Sequence, residues 1–210
     1  MNLSKPFQDY FNELSSDLPT PGGGNVAAVT GALGASLAVM VCNLTIGKKK
    51  YADVETEMTG LKEKLLQHRK NFLELAIKDN EAFDKVMGAM KLLKDSDEQK
   101  ESRTKEIEIA TYGAIEVPAD VMKSCAEILH LIKTVIEKGN KNSLSDAGVA
   151  ASLIGSSARS AYLNVLINCE SLKNQTIAAE IKKQAEILIG DITTLSEILV
   201  KQVIRLVQTK

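Results

Sequence analysis

The sequence predicts an all-α fold, an elongated bundle of long helices. Apolar residues recur at spacings of three and four through most of the chain, and no useful length alternates at the period of a strand. Pro and Gly gather at a few points between the periodic stretches. At 210 residues the chain is long enough to bury its own core. With no linker richer than the Pro-Gly run near residue 20, residues 1–210 read as a single domain.

The first helix is expected from about Leu3 to Ser16, with Phe7, Tyr10, Phe11 and Leu14 on one side, before the breaker run Leu18-Pro19-Thr20-Pro21-Gly22-Gly23-Gly24. A second runs from an Asn25 N-cap to about Ile46 and stops at Gly47. Its small residues, Ala27, Gly31 and Ala35 and again Gly34 and Ala38, let another backbone approach closely and point to a central position. The third, about Asp53 to Leu92, carries a seam through Met58, Leu61, Leu65, Phe72, Leu75, Phe83, Val86 and Met90. Ser96 and Gln99 have capping-box spacing and open a fourth segment to Lys138, which Pro118 is expected to kink or split before Gly139 ends it. Ser143 and Asp146 repeat that spacing ahead of a fifth, small-residue helix to about Cys169. The sixth runs from about Asn174 to Val207 through Ile181, Leu188, Leu195 and Leu199. The third and sixth seams exceed what one slender bundle covers, which predicts a homodimer.

Composition narrows the function. With 44% hydrophobic and 25% charged residues the chain is neither disordered nor disulfide-dense. Twenty-six Lys+Arg against twenty-seven Asp+Glu leave no basic excess, and 4% aromatic residues without Trp leave few stacking platforms, so no nucleic-acid partner is expected. Cys42, Cys125 and Cys169 are far apart in apolar stretches, as buried free thiols of a reducing compartment are, and a cytoplasmic location is expected. Val26 to Gly47 is uncharged and long enough to cross a bilayer, but it is built mainly from Ala, Gly and Ser rather than Leu, Ile and Phe. A buried helix is expected there, and no membrane partner.

Several residues could carry chemistry. Asp79 lies on the third seam, with Phe72 and Leu75 behind it and Phe83 and Val86 ahead. It either salt-bridges a neighbouring helix or is a desolvated acid beside a cavity, raised toward the working range of a general acid or base. His68, four residues from Phe72, reads as a satisfied core side chain. Gly22, Gly23, Gly24 and Asn25 lead into the second helix, whose free N–H groups suit a carboxylate or phosphate; the plain alternative is a flexible turn. Lys48, Lys49 and Lys50 beside Tyr51 are the only dense positive patch, fit either to complement a helix C-terminus or to hold a polyanionic tail. Asn164 and Asn168 share a helical face and either bridge helices or read a polar heterocycle. Two His and scattered Cys give no zinc spacing, and no metal is expected.

Taken together, Pro21-Gly22-Gly23-Gly24-Asn25-Val26-Ala27-Ala28, Gly47-Lys48-Lys49-Lys50-Tyr51, Asp79-Asn80-Glu81-Ala82-Phe83, Ser143-Leu144-Ser145-Asp146-Ala147-Gly148 and Asn164-Val165-Leu166-Ile167-Asn168 closely resemble the formimidoyltetrahydrofolate cyclodeaminase family. That family includes the cyclodeaminase half of formiminotransferase-cyclodeaminase and stand-alone methenyltetrahydrofolate cyclohydrolases. The resemblance covers nearly the whole chain in order, and one departure is Asn25, where Ser is common. It implies an all-helical homodimer acting on a one-carbon adduct of tetrahydrofolate without a metal. It makes Asp79 the catalytic group, with Asp146 grouped beside it, and puts Gly22, Gly23, Gly24, Lys49, Tyr51 and Ser145 at the folate site. The expected reaction is cyclodeamination of 5-formiminotetrahydrofolate to the 5,10-methenyl form with release of ammonia. Hydrolysis of the methenyl form to 10-formyltetrahydrofolate is the alternative, and a non-catalytic folate carrier or adaptor the alternative of another class.

Overall fold

The computed structural model describes residues 6–209. Its helices are α1 (Phe7–Leu14), α2 (Gly23–Thr45), α3 (Glu55–Met90), α4 (Asp97–Lys138), α5 (Leu144–Glu170) and α6 (Gln175–Gln208), and no strand occurs among the described residues. Short 3-10 turns at Lys49–Val54 and Lys141–Ser143 precede α3 and α5. The elongated bundle expected from the sequence is present, and α2 lies at its centre against α3, α4 and α5. The expected start of α1 at Leu3 falls outside the described residues.

Small residues give α2 its central place. A β-carbon on Gly31 would come 2.7 Å from the Phe72 ring of α3, and one on Gly34 would come 2.9 Å from Ile154 of α5. α2 and α5 run antiparallel: Ser157 donates to the Ala27 carbonyl at 2.7 Å near one end, and the Asn140 N–H donates to Thr45 Oγ1 at 2.9 Å near the other. α2 is long and apolar enough to cross a membrane, yet 61% of its most apolar window is buried in the molecule, as in a core helix.

Some helix ends fall where the sequence places them and others do not. Ser96 and Gln99 form their capping box, and Asn174 accepts from the Ile177 N–H at 3.2 Å. Gly139 does end α4. Asn25 is not an N-cap: α2 begins one turn earlier, with extended Gly22 as its cap, and Asn25 is fully buried in the first turn. Ser143 makes no capping bond with its side chain, which instead donates to the Asn140 carbonyl at 3.1 Å within the preceding 3-10 turn. The expected box with Asp146 is therefore absent, because Ser143 already serves that turn.

Pro118 neither splits nor ends α4, which continues as one helix through a buried Pro118. A proline leaves the carbonyl four residues earlier, here Ala114, without its helical donor. Asn168 of α5 supplies one, its Nδ2 donating to Ala114 O at 2.7 Å. His68 is a satisfied core side chain as expected, with Nδ1 3.0 Å from Ser124 Oγ, and burial pushes its pKa down.

Candidate active site

The site forms where the first turn of α2 meets the middle of α3. Asp79 lies directly over that turn, and a β-carbon on Gly24 would come 2.7 Å from its Cγ. Only glycine permits this approach. Burial raises the Asp79 pKa above the ordinary carboxylate value, opposed by a hydrogen bond from the backbone N–H of Asn25. The carboxylate is thus desolvated, and one amide at the start of α2 partly offsets that burial.

A buried amide fixes this geometry. Tyr10 Oη of α1 donates to Asn25 Oδ1 at 2.9 Å, while Asn25 Nδ2 donates to Ala76 O at 2.7 Å and lies 3.3 Å from Asn80 Oδ1. Three helices are pinned within one turn of Asp79. Sequence reasoning assigned Asn25 to ligand binding and capping, and missed Tyr10 and Asn80 as its partners. The available signal was an amide at a position surrounded by Ala and Gly, where a buried polar group requires partners.

Asp79 opens into a cleft of about 310 Å³. Its floor is Gly22, Gly23 and Gly24, one wall is Phe83 and Val86 of α3, and the opposite wall is Asn164, Ile167 and Asn168 of α5. Among the described residues lining it, Asp79 is the only charged one. Asn164 Nδ2 donates to Ser160 O at 2.8 Å and Asn168 Nδ2 to Ala114 O, so each side chain keeps an amide oxygen as acceptor.

The structure divides the candidate residues. Gly22, Gly23, Gly24, Asp79, Asn164 and Asn168 converge on the cleft, with Asn25 behind it. Lys48, Lys49, Lys50, Tyr51, Ser145 and Asp146 lie at the opposite end of α2, where Tyr51 Oη accepts from the Lys141 N–H at 3.0 Å. α2 has 23 residues; a helix of that length spans about 34 Å. The two groups of one chain therefore do not meet. No cluster of three or more metal-ligating side chains occurs among the described residues.

A half-buried carboxylate facing a small cleft within a bundle of long helices is an arrangement suited to acid–base chemistry on a compact ligand. The family model described as formiminotransferase-cyclodeaminase matches residues 6–187. The chain is 42% identical to a methenyltetrahydrofolate cyclohydrolase of Methylorubrum extorquens, over 92% of this chain and 93% of that protein. It is 30% identical to the formimidoyltransferase-cyclodeaminase of Sus scrofa over 91% of this chain and 36% of that larger protein. The crystal structure of a formiminotetrahydrofolate cyclodeaminase from Thermotoga maritima superposes with a TM-score of 0.81 at 32% identity, covering 96% of this chain and 98% of that one. The chain belongs to the formiminotransferase-cyclodeaminase family.

Proposed function

We propose that this chain is a folate one-carbon enzyme that hydrolyses 5,10-methenyltetrahydrofolate to 10-formyltetrahydrofolate, with Asp79 moving the proton. The observation that carries the reading is the desolvated Asp79 carboxylate over the first turn of α2. The full-length relative from Methylorubrum extorquens, named a methenyltetrahydrofolate cyclohydrolase, favours the hydrolytic reaction. Water adds to the cationic bridge carbon and gives a proton to Asp79. The bond from that carbon to N5 then breaks as the hydroxyl proton of the adduct is released to water, the proton held by Asp79 passes to N5, and the formyl group stays on N10. The substrate cation next to Asp79 favours its ionised form, so a carboxyl raised by burial becomes a base when the ligand arrives. The cleft takes the pterin end, with the Asn164 and Asn168 amide oxygens as acceptors for its N–H groups.

Cyclodeamination, the reaction placed first by sequence, is supported by the similarity to the Thermotoga maritima enzyme. There N10 attacks the formimino carbon on N5, Asp79 relays the N10 proton to the departing nitrogen, ammonia leaves, and the same methenyl bridge results. The reading includes a homodimer, supported by the exposed apolar Leu33, Met40, Leu44, Leu163 and Ile167 on α2 and α5.

Purified protein is incubated with each folate while methenyl absorbance and ammonia are followed. Falling absorbance from the methenyl form marks hydrolysis; rising absorbance with ammonia from the formimino form marks cyclodeamination. Asp79→Asn is expected to lower kcat by about a hundred- to ten-thousand-fold with folate binding kept. A fully active, folded Asp79→Asn protein refutes the catalytic role, and wild-type protein inert toward both folates leaves the carrier reading in its place.

A further inference from the structure

We infer that Tyr10 of α1 is a positioning residue for Asp79: its hydroxyl, acting through the Asn25 side chain, aims the backbone N–H of α2 that the carboxylate accepts. The inference adds α1 to the machinery of the cleft, and its kinetic arm rests on the folate reading.

The sense of each bond follows from what the groups can do. A backbone carbonyl only accepts, so the Asn25 amide turns its Nδ2 toward Ala76 O at 2.7 Å, and the same nitrogen lies 3.3 Å from Asn80 Oδ1. Its Oδ1 therefore faces Tyr10, and the phenol is the donor at 2.9 Å. Burial raises the Tyr10 pKa, so the phenol keeps that proton through the neutral range. The fully buried Asn25 side chain is thus tied to α1 at one end and to α3 at the other. The backbone N–H of this same residue reaches Asp79. Burial and that N–H act on the carboxyl in opposite directions, so a shift of Asn25 changes the balance between them.

α1 is arranged around this one contact. Within Phe7–Leu14 only Tyr10 is buried, while Phe7 and Phe11 are 58% and 47% exposed. Eight residues are too few for a helix to stand alone in water, so the place of α1 depends on what Tyr10 holds. The Phe7 and Phe11 rings each have their centroids 6.1 Å from that of Tyr10 and support its ring without help from the hydroxyl. Phenylalanine would fill the same space; the hydroxyl adds only the bond to Asn25. Tyr10, Asn25 and Asn80 lie behind the cleft rather than in its lining, so their route to the ligand runs through Asp79. A hydroxyl that merely satisfied a buried amide would affect stability when removed and leave the carboxylate as it was.

Tyr10→Phe keeps the ring and removes the donor, and two measurements read the result. In the first, protein isotope-labelled at the Asp carboxyl carbons is titrated by NMR, with Asp79→Asn identifying the Asp79 resonance. Without the hydroxyl the Asn25 N–H is held less firmly on the carboxylate, the influence that lowers its pKa weakens, and the titration midpoint is expected to move to higher pH. Phe11→Leu trims the same aromatic cluster but spares the hydroxyl, and its midpoint is expected to match wild type. An unmoved midpoint in Tyr10→Phe, or an equal move in Phe11→Leu, overturns the inference whether or not the protein turns over folate. In the second, kcat and KM are measured for whichever of the methenyl and formimino folates the wild type converts. Tyr10→Phe is expected to lower kcat about tenfold with KM kept within about twofold, and the acid limb of kcat/KM moves in the same direction as the NMR midpoint. An unchanged kcat, or a loss confined to KM, also overturns the positioning role. Wild-type protein inert toward both folates fails the functional reading, while the NMR titration still decides whether Tyr10 positions Asp79.

Discussion

Asn168 lines the cleft and also repairs the defect that Pro118 makes in α4, and a double-mutant cycle separates the two roles. The Ala114 carbonyl would ordinarily accept from the N–H of residue 118; with proline there, Asn168 Nδ2 is its donor at 2.7 Å. Asn168→Ala leaves a part-buried carbonyl without a partner, at a cost of about 1–3 kcal/mol. In a chain of this size that lowers Tm by roughly 2–4 °C for each kcal/mol. Pro118→Ala returns an N–H within reach of Ala114 O, so in that background the Asn168→Ala cost is expected to shrink by about 1 kcal/mol or more. Urea unfolding of the four proteins measures the cycle, provided the m-values agree. Additivity to within about 0.5 kcal/mol refutes the repair. Activity separates the second role: if the amide also reads the ligand, Pro118→Ala restores stability to the Asn168→Ala protein but leaves its KM raised.

Gly24→Ala is expected to keep the fold but lower kcat by about a hundredfold, because the new methyl displaces Asp79 by about an ångström; unchanged kcat shows that Asp79 need not touch the helix start. Asn25→Ala strands Tyr10 Oη and the Ala76 carbonyl and is expected to lower stability by about 2–4 kcal/mol, with Tyr10→Phe nearer 1 kcal/mol, in urea unfolding; equal effects from both would put the weight on α1 packing instead. Burial pushes the Cys125 thiol up to about 12 and the Cys42 thiol up to about 11, so neither is expected to react with a disulfide reagent at pH 8 until the protein unfolds; rapid labelling of native protein contradicts that burial. The folded state raises the Asp79 pKa, so the stability it lends is full below the ordinary value of 3.8 and is lost as pH rises through the folded value. Asp79→Asn removes that loss, and its Tm relative to wild type is expected to climb from acid to neutral pH; a difference independent of pH refutes the desolvation.

The helices were legible because each apolar seam repeats over many turns, and one misplaced residue changes little in such a pattern. Ends were less legible because several polar residues compete for each one. Asn25 has the side chain of a cap, yet its amide serves Tyr10, Ala76 and Asn80, partners fifteen to fifty-five positions away that local spacing does not show. Asp79 was visible as a carboxylate on an apolar seam, but the reason Gly24 faces it required the crossing of α2 and α3. Pro118 was expected to kink or split α4, and its rescue by a residue fifty positions later lies beyond any rule of helix propensity. The lysines follow the end of the second helix and the glycines precede its start, so their separation was legible; what sequence order did not show is which end of that helix Asp79 of α3 meets.

The uncharged run through α2 resembles a membrane span for a reason that lies in packing. Its inner faces exclude charge, because Gly24, Gly31 and Gly34 bring it against α3 and α5 with no room even for a methyl group. The outer stripe does not face that constraint, and a surface stripe in an isolated chain is where Lys or Glu would ordinarily interleave, as they do on α6. Mean hydropathy adds these faces together and cannot tell them apart. Exposure can: the inner faces are buried by this chain, while the remainder forms one ordered stripe that ends at Ile167 and the cleft through its neighbour α5. A bilayer-spanning helix would present its whole circumference to lipid, whereas this chain leaves only that stripe of α2 uncovered.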